Sequence, residues 1–445
     1  FRHILADYSA PNNHIFHTIL VYFSHQVFGG HTWIVRLPAF IAGTLSIPAA
    51  YFAARRLFNS HQSLAAAALV SLTPWFISYS TNGRGYTLVT LLAFLLANFA
   101  GLLVQHQSRS ALTAFAVTAA LGFYTIPIFL YPMAGISLWV LITHMTAPEP
   151  RDQKLQKSLT FMGVCALTGV LVLLLYSPVI LFGTGLDSIA SNEIVESRDW
   201  ATFMENLRPR AVNTWESWML NIALPLQHLL LGGFLMSVFF YRKASNQKIP
   251  LQIVMVFSIL FLLGAQRVAP FPRVWIYLEM FYMLFAGAGL VWLADLVIHK
   301  LFRMDTAGKI VPVIVLLAVM ITFTSKYLST QQGSAIANRN ILPEQQAAGY
   351  LTSHLQAGDT IISIAPVDIR TAYYLYINGV PYDVFYQRDN PVKIRNAIVI
   401  LRTTSKYNTA ESLLDFYNIT SQFNLQAARL VFEYGPLRIF SIPAK

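Results

Sequence analysis

The sequence predicts a multi-pass α-helical membrane protein, with about ten transmembrane helices present and a C-terminal soluble α/β domain. Three observations predict it: a shortage of charge, apolar runs of membrane-spanning length, and basic residues confined to alternate loops. Only 11% of the 445 residues are charged and 55% are hydrophobic, whereas a soluble domain is typically about 25% charged. Burial in lipid resolves that shortage. The formal net charge of +11 does not point to nucleic acid, because the basic residues fall in short clusters between apolar runs.

A helix needs about 20 apolar residues to cross the hydrocarbon. Runs suited to this lie at 33–55, 62–80, 84–104, 110–123, 125–143, 158–182, 222–241, 249–264, 274–298 and 310–328. The fourth and eighth are short, as thin, tilted or re-entrant spans are. Arg55, Arg56, Arg109, Arg151, Lys154, Lys157, Arg242, Lys243, Lys248, Lys300, Arg303 and Lys309 fall in one set of loops. The intervening short loops hold only Arg84, Arg267 and Arg273. The positive-inside rule makes the first set cytoplasmic. The sequence therefore predicts three regions: 1–32, an external loop with an interfacial helix; 33–328, a transmembrane domain with a long external loop at 183–221; and 329–445, an external soluble α/β domain.

Within 1–32, the stretch Ile15–Phe28 carries His17, Tyr22, His25 and Gln26, so it reads as an interfacial helix. An external N-terminus without a signal peptide implies a further helix ahead of Phe1. In the tail, 343–356 reads as helix, 360–364 and 397–401 as buried strands, and 429–442 as a hairpin turning at Gly435-Pro436.

The three external arginines are the first candidates for chemistry. Arg84, Arg267 and Arg273 sit where a membrane enzyme meets an anionic headgroup, and guanidinium presents a planar fork to phosphate oxygens. The competing reading is that each anchors its helix at the interface. Asn12, Asn13 and His14 follow Pro11 and suit a sugar-binding edge, or equally a helix N-cap. Glu279 lies about two turns beyond Arg273 inside a span, as a functional carboxylate or an arginine's partner. Trp200, Trp215 and Trp218, in a long loop with several carboxylates, suit carbohydrate or an interfacial belt. The histidines give no complete metal-ligand pattern, although a divalent metal is compatible with the chain. Cys165 stands alone, so the redox compartment is not legible.

Pro11-Asn-Asn-His14, Phe28-Gly29, Arg36-Leu-Pro-Ala-Phe-Ile-Ala-Gly43 and Tyr79-Ser-Thr-Asn-Gly-Arg-Gly-Tyr86 together resemble the dolichyl-phosphate-mannose–protein mannosyltransferase-like family, that is, glycosyltransferase family 39 and its relatives. The aminoarabinose transferases of lipid A are more distant cousins. The resemblance is specific over 1–105, weaker at Pro270-Phe-Pro-Arg273, and general in style in the tail. It implies a GT-C fold and transfer of a sugar, hexosyltransferase-like, from a polyprenyl-phosphate donor to a protein, lipid or glycan acceptor on the non-cytoplasmic face. It also implies an acidic catalytic pair after a first helix. That pair would lie upstream of Phe1, which leaves Asp7 as the carboxylate this chain offers. Arg84, Arg267 and Arg273 then hold the donor phosphate, and Asn12, Asn13, His14, Tyr86 and Glu279 face sugar or acceptor. Rival readings are a transporter or flippase of lipid-linked saccharides and a non-catalytic envelope-assembly protein.

Overall fold

The computed structural model describes residues 1–8, 13–106, 108–190, 196–302, 342–364, 367–387 and 394–445. The chain divides into two compact units, Phe1–Leu328 and Ser329–Lys445.

Among the described residues the first unit is helical, without strands. Two short elements open it, α1 (Arg2–Ala6) and α2 (Ile15–Phe28), followed by α3 (Leu37–Arg55), α4 (Ser60–Leu72), α5 (Pro74–Ser80), α6 (Tyr86–Gln105), α7 (Arg109–Thr125), α8 (Leu130–Thr146) and α9 (Arg151–Phe182). Then come α10 (Asp187–Ala190), α11 (Trp200–Met219), α12 (Leu224–Phe239), α13 (Tyr241–Ala244), α14 (Leu251–Gln266) and α15 (Ile276–Phe302). Helix occupies each predicted span that the described residues cover; the run at 310–328 lies outside them.

Local chemistry explains the boundaries. Asn59 and Gln62 form a reciprocal capping box that starts α4. Pro74 separates α4 from α5 at a bend of 62°, since proline cannot continue the preceding backbone ladder. Small residues set the closest crossing. A Cβ on Gly289 would lie 1.9 Å from the Gly233 carbonyl oxygen, so α12 and α15 pack backbone to backbone.

Five helices among the described residues are long and apolar enough to cross a membrane, or seven if each of two bent pairs is one span. This is fewer than the ten runs in the sequence. The 17-residue α7 and 16-residue α14 are real helices of sub-spanning length. Within the predicted loop 183–221 lies the 20-residue α11, which meets α12 at 109°. Apolar side chains face outward in quantity. Only 22% of the most apolar window of α9 is buried, and Leu173, Leu174 and Phe182 are more than 60% exposed. In water such a surface would drive association, whereas lipid tails solvate it.

The second unit is a four-stranded sheet with helices on both faces. Its elements are α16 (Pro343–His354), β1 (Asp359–Ile362), α17 (Val367–Ile377), β2 (Asn396–Arg402), α18 (Ala410–Phe416), β3 (Arg429–Tyr434) and β4 (Leu437–Pro443). Strand order is β1-β2-β4-β3. β1 and β2 are parallel, with Asp359 opposite Asn396, and the other pairs are antiparallel. Gly435 supplies the positive φ of 55° at the hairpin turn. Alternation along β2 sends Ile398 and Ile400 to the α16–α17 face and Ala397, Val399 and Leu401 to the α18 face.

Candidate functional site

The site is built where four parts of the first unit meet: the start of α2, the α5–α6 turn, the segment before α15, and α11. His14 caps the start of α2 and is 5% exposed. Its Nδ1 accepts the Gly85 backbone N–H at 2.9 Å. That bond fixes the neutral tautomer with the proton on Nε2. Gly85 has no room for a side chain. A Cβ would lie 2.8 Å from Thr125 Cγ2 and 3.2 Å from His14 Nδ1.

Tyr86, the first residue of α6, packs edge-on against His14 at 5.1 Å and against Tyr79 at 5.5 Å. Its hydroxyl accepts the Arg273 Nε–H at 3.0 Å. Arg273 also lies over the Phe271 ring at 4.5 Å, while Arg210 from α11 lies over the same ring at 4.2 Å. One phenyl ring therefore carries two guanidinium groups, which draws both charges to one place. Neither pairs with a carboxylate among the described residues.

Arg84 belongs to the same neighbourhood. Burial pushes the His14 imidazole down to about 3, and the charges of His17, Arg84 and Arg273 push the same way. The fields of Arg84 and Arg273 also both reach the Tyr79 phenol. A neutral histidine facing two unpaired arginines is an arrangement that favours an incoming anion.

Sequence-predicted residues divide on this geometry. His14, Arg84, Tyr86 and Arg273 come together. Asn13 spends its side chain internally: its amide donates to the Asp7 carbonyl at 2.7 Å and accepts the Thr18 hydroxyl at 3.2 Å. That ties the backbone of Asp7 to the residue preceding His14. Asn12 lies outside the described residues. Arg267 caps α14 in the left-handed region, φ 52°, and its carbonyl accepts the Arg198 N–H at 3.2 Å. No described contact brings its side chain to Arg273. Glu279 is fully buried in α15, and both carboxylate oxygens lack a hydrogen-bond partner among the described residues. The hydroxyls of Tyr277 and Tyr282, on the same two turns, are also buried without partners. No group of three metal-binding side chains exists among the described residues.

Arg210 is a candidate site residue that sequence reasoning passed over. It sits in Arg208-Pro-Arg210, inside a segment read as loop, where basic residues carried no weight in the charge rule. An apolar groove of about 210 Å³ is lined by Arg210 together with Trp215, Trp218, Leu263, Pro270 and Trp275.

Residues 13–182, which include His14, Arg84 and Tyr86, match the family model described as dolichyl-phosphate-mannose-protein mannosyltransferase. Among solved structures, ArnT from Cupriavidus metallidurans in the apo state superposes with a TM-score of 0.62 at 12% identity, over 96% of this chain and 87% of that one. The same protein bound to undecaprenyl phosphate gives a TM-score of 0.60 at 12% identity, with the same coverage. No curated protein sequence matches the chain. The chain is an integral membrane protein with the fold seen in ArnT. Its residues 13–182 are similar to the dolichyl-phosphate-mannose-protein mannosyltransferase family.

Proposed function

We propose that the protein is a membrane glycosyltransferase that moves a sugar of the hexose class from a polyprenyl-phosphate donor to an acceptor on the non-cytoplasmic face. The observation that carries this reading is the gathering of Arg84 and Arg273, unpaired by described carboxylates, beside a neutral His14 and Tyr86, with Arg210 on the Phe271 ring that it shares with Arg273. Glycosyl transfer from a lipid phosphate leaves a phosphate behind, and its departing charge needs preorganised donors. Arg273 is preorganised twice, by the Tyr86 hydroxyl and by the Phe271 ring. Its terminal nitrogens remain for phosphate oxygens in the two-pronged geometry guanidinium favours. The groove beside Arg210 is apolar and aromatic, as an isoprenoid chain requires. The fold is shared with a protein solved with undecaprenyl phosphate bound.

Transfer also needs a carboxylate to take the acceptor's proton. Asp7 is the candidate in this chain, held beside the start of α2 by the Asn13 amide. Glu279, Tyr277 and Tyr282 form a buried polar group on α15 suited to sugar or acceptor hydroxyls once these enter.

The test is sugar transfer from a radiolabelled polyprenyl-phosphate sugar in membranes containing the protein. Arg273→Gln is expected to lower turnover by about 100-fold, the scale for removing one preorganised donor, with insertion into the membrane unchanged. Transfer at the parental rate in that variant sinks the phosphate role.

A further inference from the structure

We propose that the soluble unit carries a ligand site of its own: a crevice at the carboxyl ends of β1 and β2 that binds a phosphorylated sugar. The inference stands apart from the transferase reading, because it concerns binding in the second unit alone.

The topology opens the crevice. After β1 the chain passes to α17, whose Val367 and Leu375 pack on the face carrying Ile361, Ile398 and Ile400. After β2 it passes to α18, whose Leu413 and Leu414 pack on the opposite face with Val399 and Leu401. Two parallel neighbours whose following connections leave to opposite faces define a switch point, and ligands of open α/β sheets bind beyond the strand ends there. A cavity of about 250 Å³ occupies that position. Ile364 and Ile400 form its apolar floor, and Arg402, Thr404, Ser405 and Tyr407 form its polar wall. The volume is below that of a drug-sized pocket and suits one sugar ring with its phosphate.

The charge of the wall is set from beneath. Glu344 is 1% exposed, and one of its oxygens lies 3.4 Å from both Arg370 and Arg402. One carboxylate between two guanidiniums leaves an excess positive charge. Arg402 is the member of the pair that reaches the cavity. The wall is also held in place: Thr403 N–H donates to the Pro436 carbonyl at 2.9 Å, and Ser405 N–H to the Arg402 carbonyl at 2.9 Å. Ser405 Oγ accepts the Tyr407 N–H at 3.3 Å, which leaves its own proton to donate. Asp368, the nearest carboxylate in sequence on α17, accepts the Ile369 N–H and is not part of the wall. An anchored guanidinium, two hydroxyls, a phenol and an apolar floor are the parts that a sugar phosphate engages.

The experiment is equilibrium dialysis of radiolabelled glucose 1-phosphate against the full chain in lipid nanodiscs. Saturable binding is expected, weakened about tenfold or more in Arg402→Gln, the effect of losing a charged hydrogen bond. Arg402→Gln leaves Glu344 paired to Arg370, and an unchanged melting profile checks that the unit stays folded. Ser405→Ala, in an exposed loop, provides a second variant and is expected to weaken binding several-fold. Arg273→Gln, in the membrane unit, should leave this binding unaltered. A polyprenyl-phosphate glucose added to the nanodisc identifies the source: displacement of the label supports a lipid headgroup as ligand, and no displacement supports a soluble sugar phosphate. The proposal is overturned if no saturable binding occurs, if Arg402→Gln and Ser405→Ala both bind as the parent does, or if Arg273→Gln abolishes binding. It is also overturned if inorganic phosphate or glucose alone binds as tightly as the sugar phosphate.

Discussion

Arginine is used in opposite ways by the two units. In the soluble unit Arg370 and Arg402 share the buried Glu344, and Arg438 pairs with Glu433 at 2.8 Å. In the membrane unit Arg84, Arg210 and Arg273 have no described carboxylate partner, and the contacts of Arg210 and Arg273 are a phenyl ring and a phenol. Rings and phenols orient a guanidinium without cancelling its charge. The soluble unit thus ties Arg370, Arg402 and Arg438 to carboxylates, two of them sharing one, as part of its fold. The membrane unit leaves these three arginines without a described carboxylate, as the proposed anionic lipid substrate requires.

The comparison breaks most sharply if the two groups of arginines respond alike. Arg84→Ala is expected to reduce transfer by about 100-fold, as Arg273→Gln does, whereas Arg370→Ala should leave turnover within the range of the parent. Equal losses in both would mean that the distinction between free and paired cations carries no function. Arg210→Ala comes next. Its charge is one of two on the Phe271 ring, so about tenfold is the expected loss, the scale of a partly desolvated cation–π contact. A rise in KM for the lipid donor, with little change in kcat, would place Arg210 at the groove entrance and not at the reacting phosphate.

The fold was legible where hydrophobic period and punctuation agree. Long runs such as 86–105 and 276–302 leave no alternative to a helix, and Gly435-Pro436 between two alternating runs is a hairpin signal. α11 escaped because Glu205, Arg208 and Glu216 lower its hydropathy, and an amphipathic helix at an interface looks like a polar loop when judged by span length. Of the site, Arg84, Tyr86 and Arg273 were legible as cations and an aromatic at a membrane mouth. Their juxtaposition was not, because Arg273 follows Tyr86 by 187 residues and only the packed bundle joins them. Arg210 needed the structure outright, since its position over Phe271 depends on the course of α11. Asn13 teaches the reverse lesson: a polar motif beside a candidate site is consumed by the local fold.

In the soluble unit, Glu344→Gln tests the paired half of the comparison. The two guanidiniums lose their common anion, and 51% and 30% side-chain exposure lets water take over part of the loss. Destabilisation of about 1–3 kcal/mol is expected, confined to that unit and best read by hydrogen exchange of α16 and β2 in the full chain. Transfer should be unaffected.

The last effect concerns His14 and acid, and it is absent at neutral pH. In the folded protein burial, aided by His17, Arg84 and Arg273, holds its imidazole at about 3, against 6.5 in the unfolded chain. Between those values the unfolded state binds a proton that the folded state refuses. The stability contributed by neutral His14 is therefore complete above about pH 6.5 and is lost progressively as pH falls towards 3. The thermal midpoint of the parent should decline over that window, and His14→Gln should remove part of the slope while leaving the midpoint at pH 8 nearly unchanged. An identical slope in the variant would mean that burial does not hold His14 neutral in the folded protein.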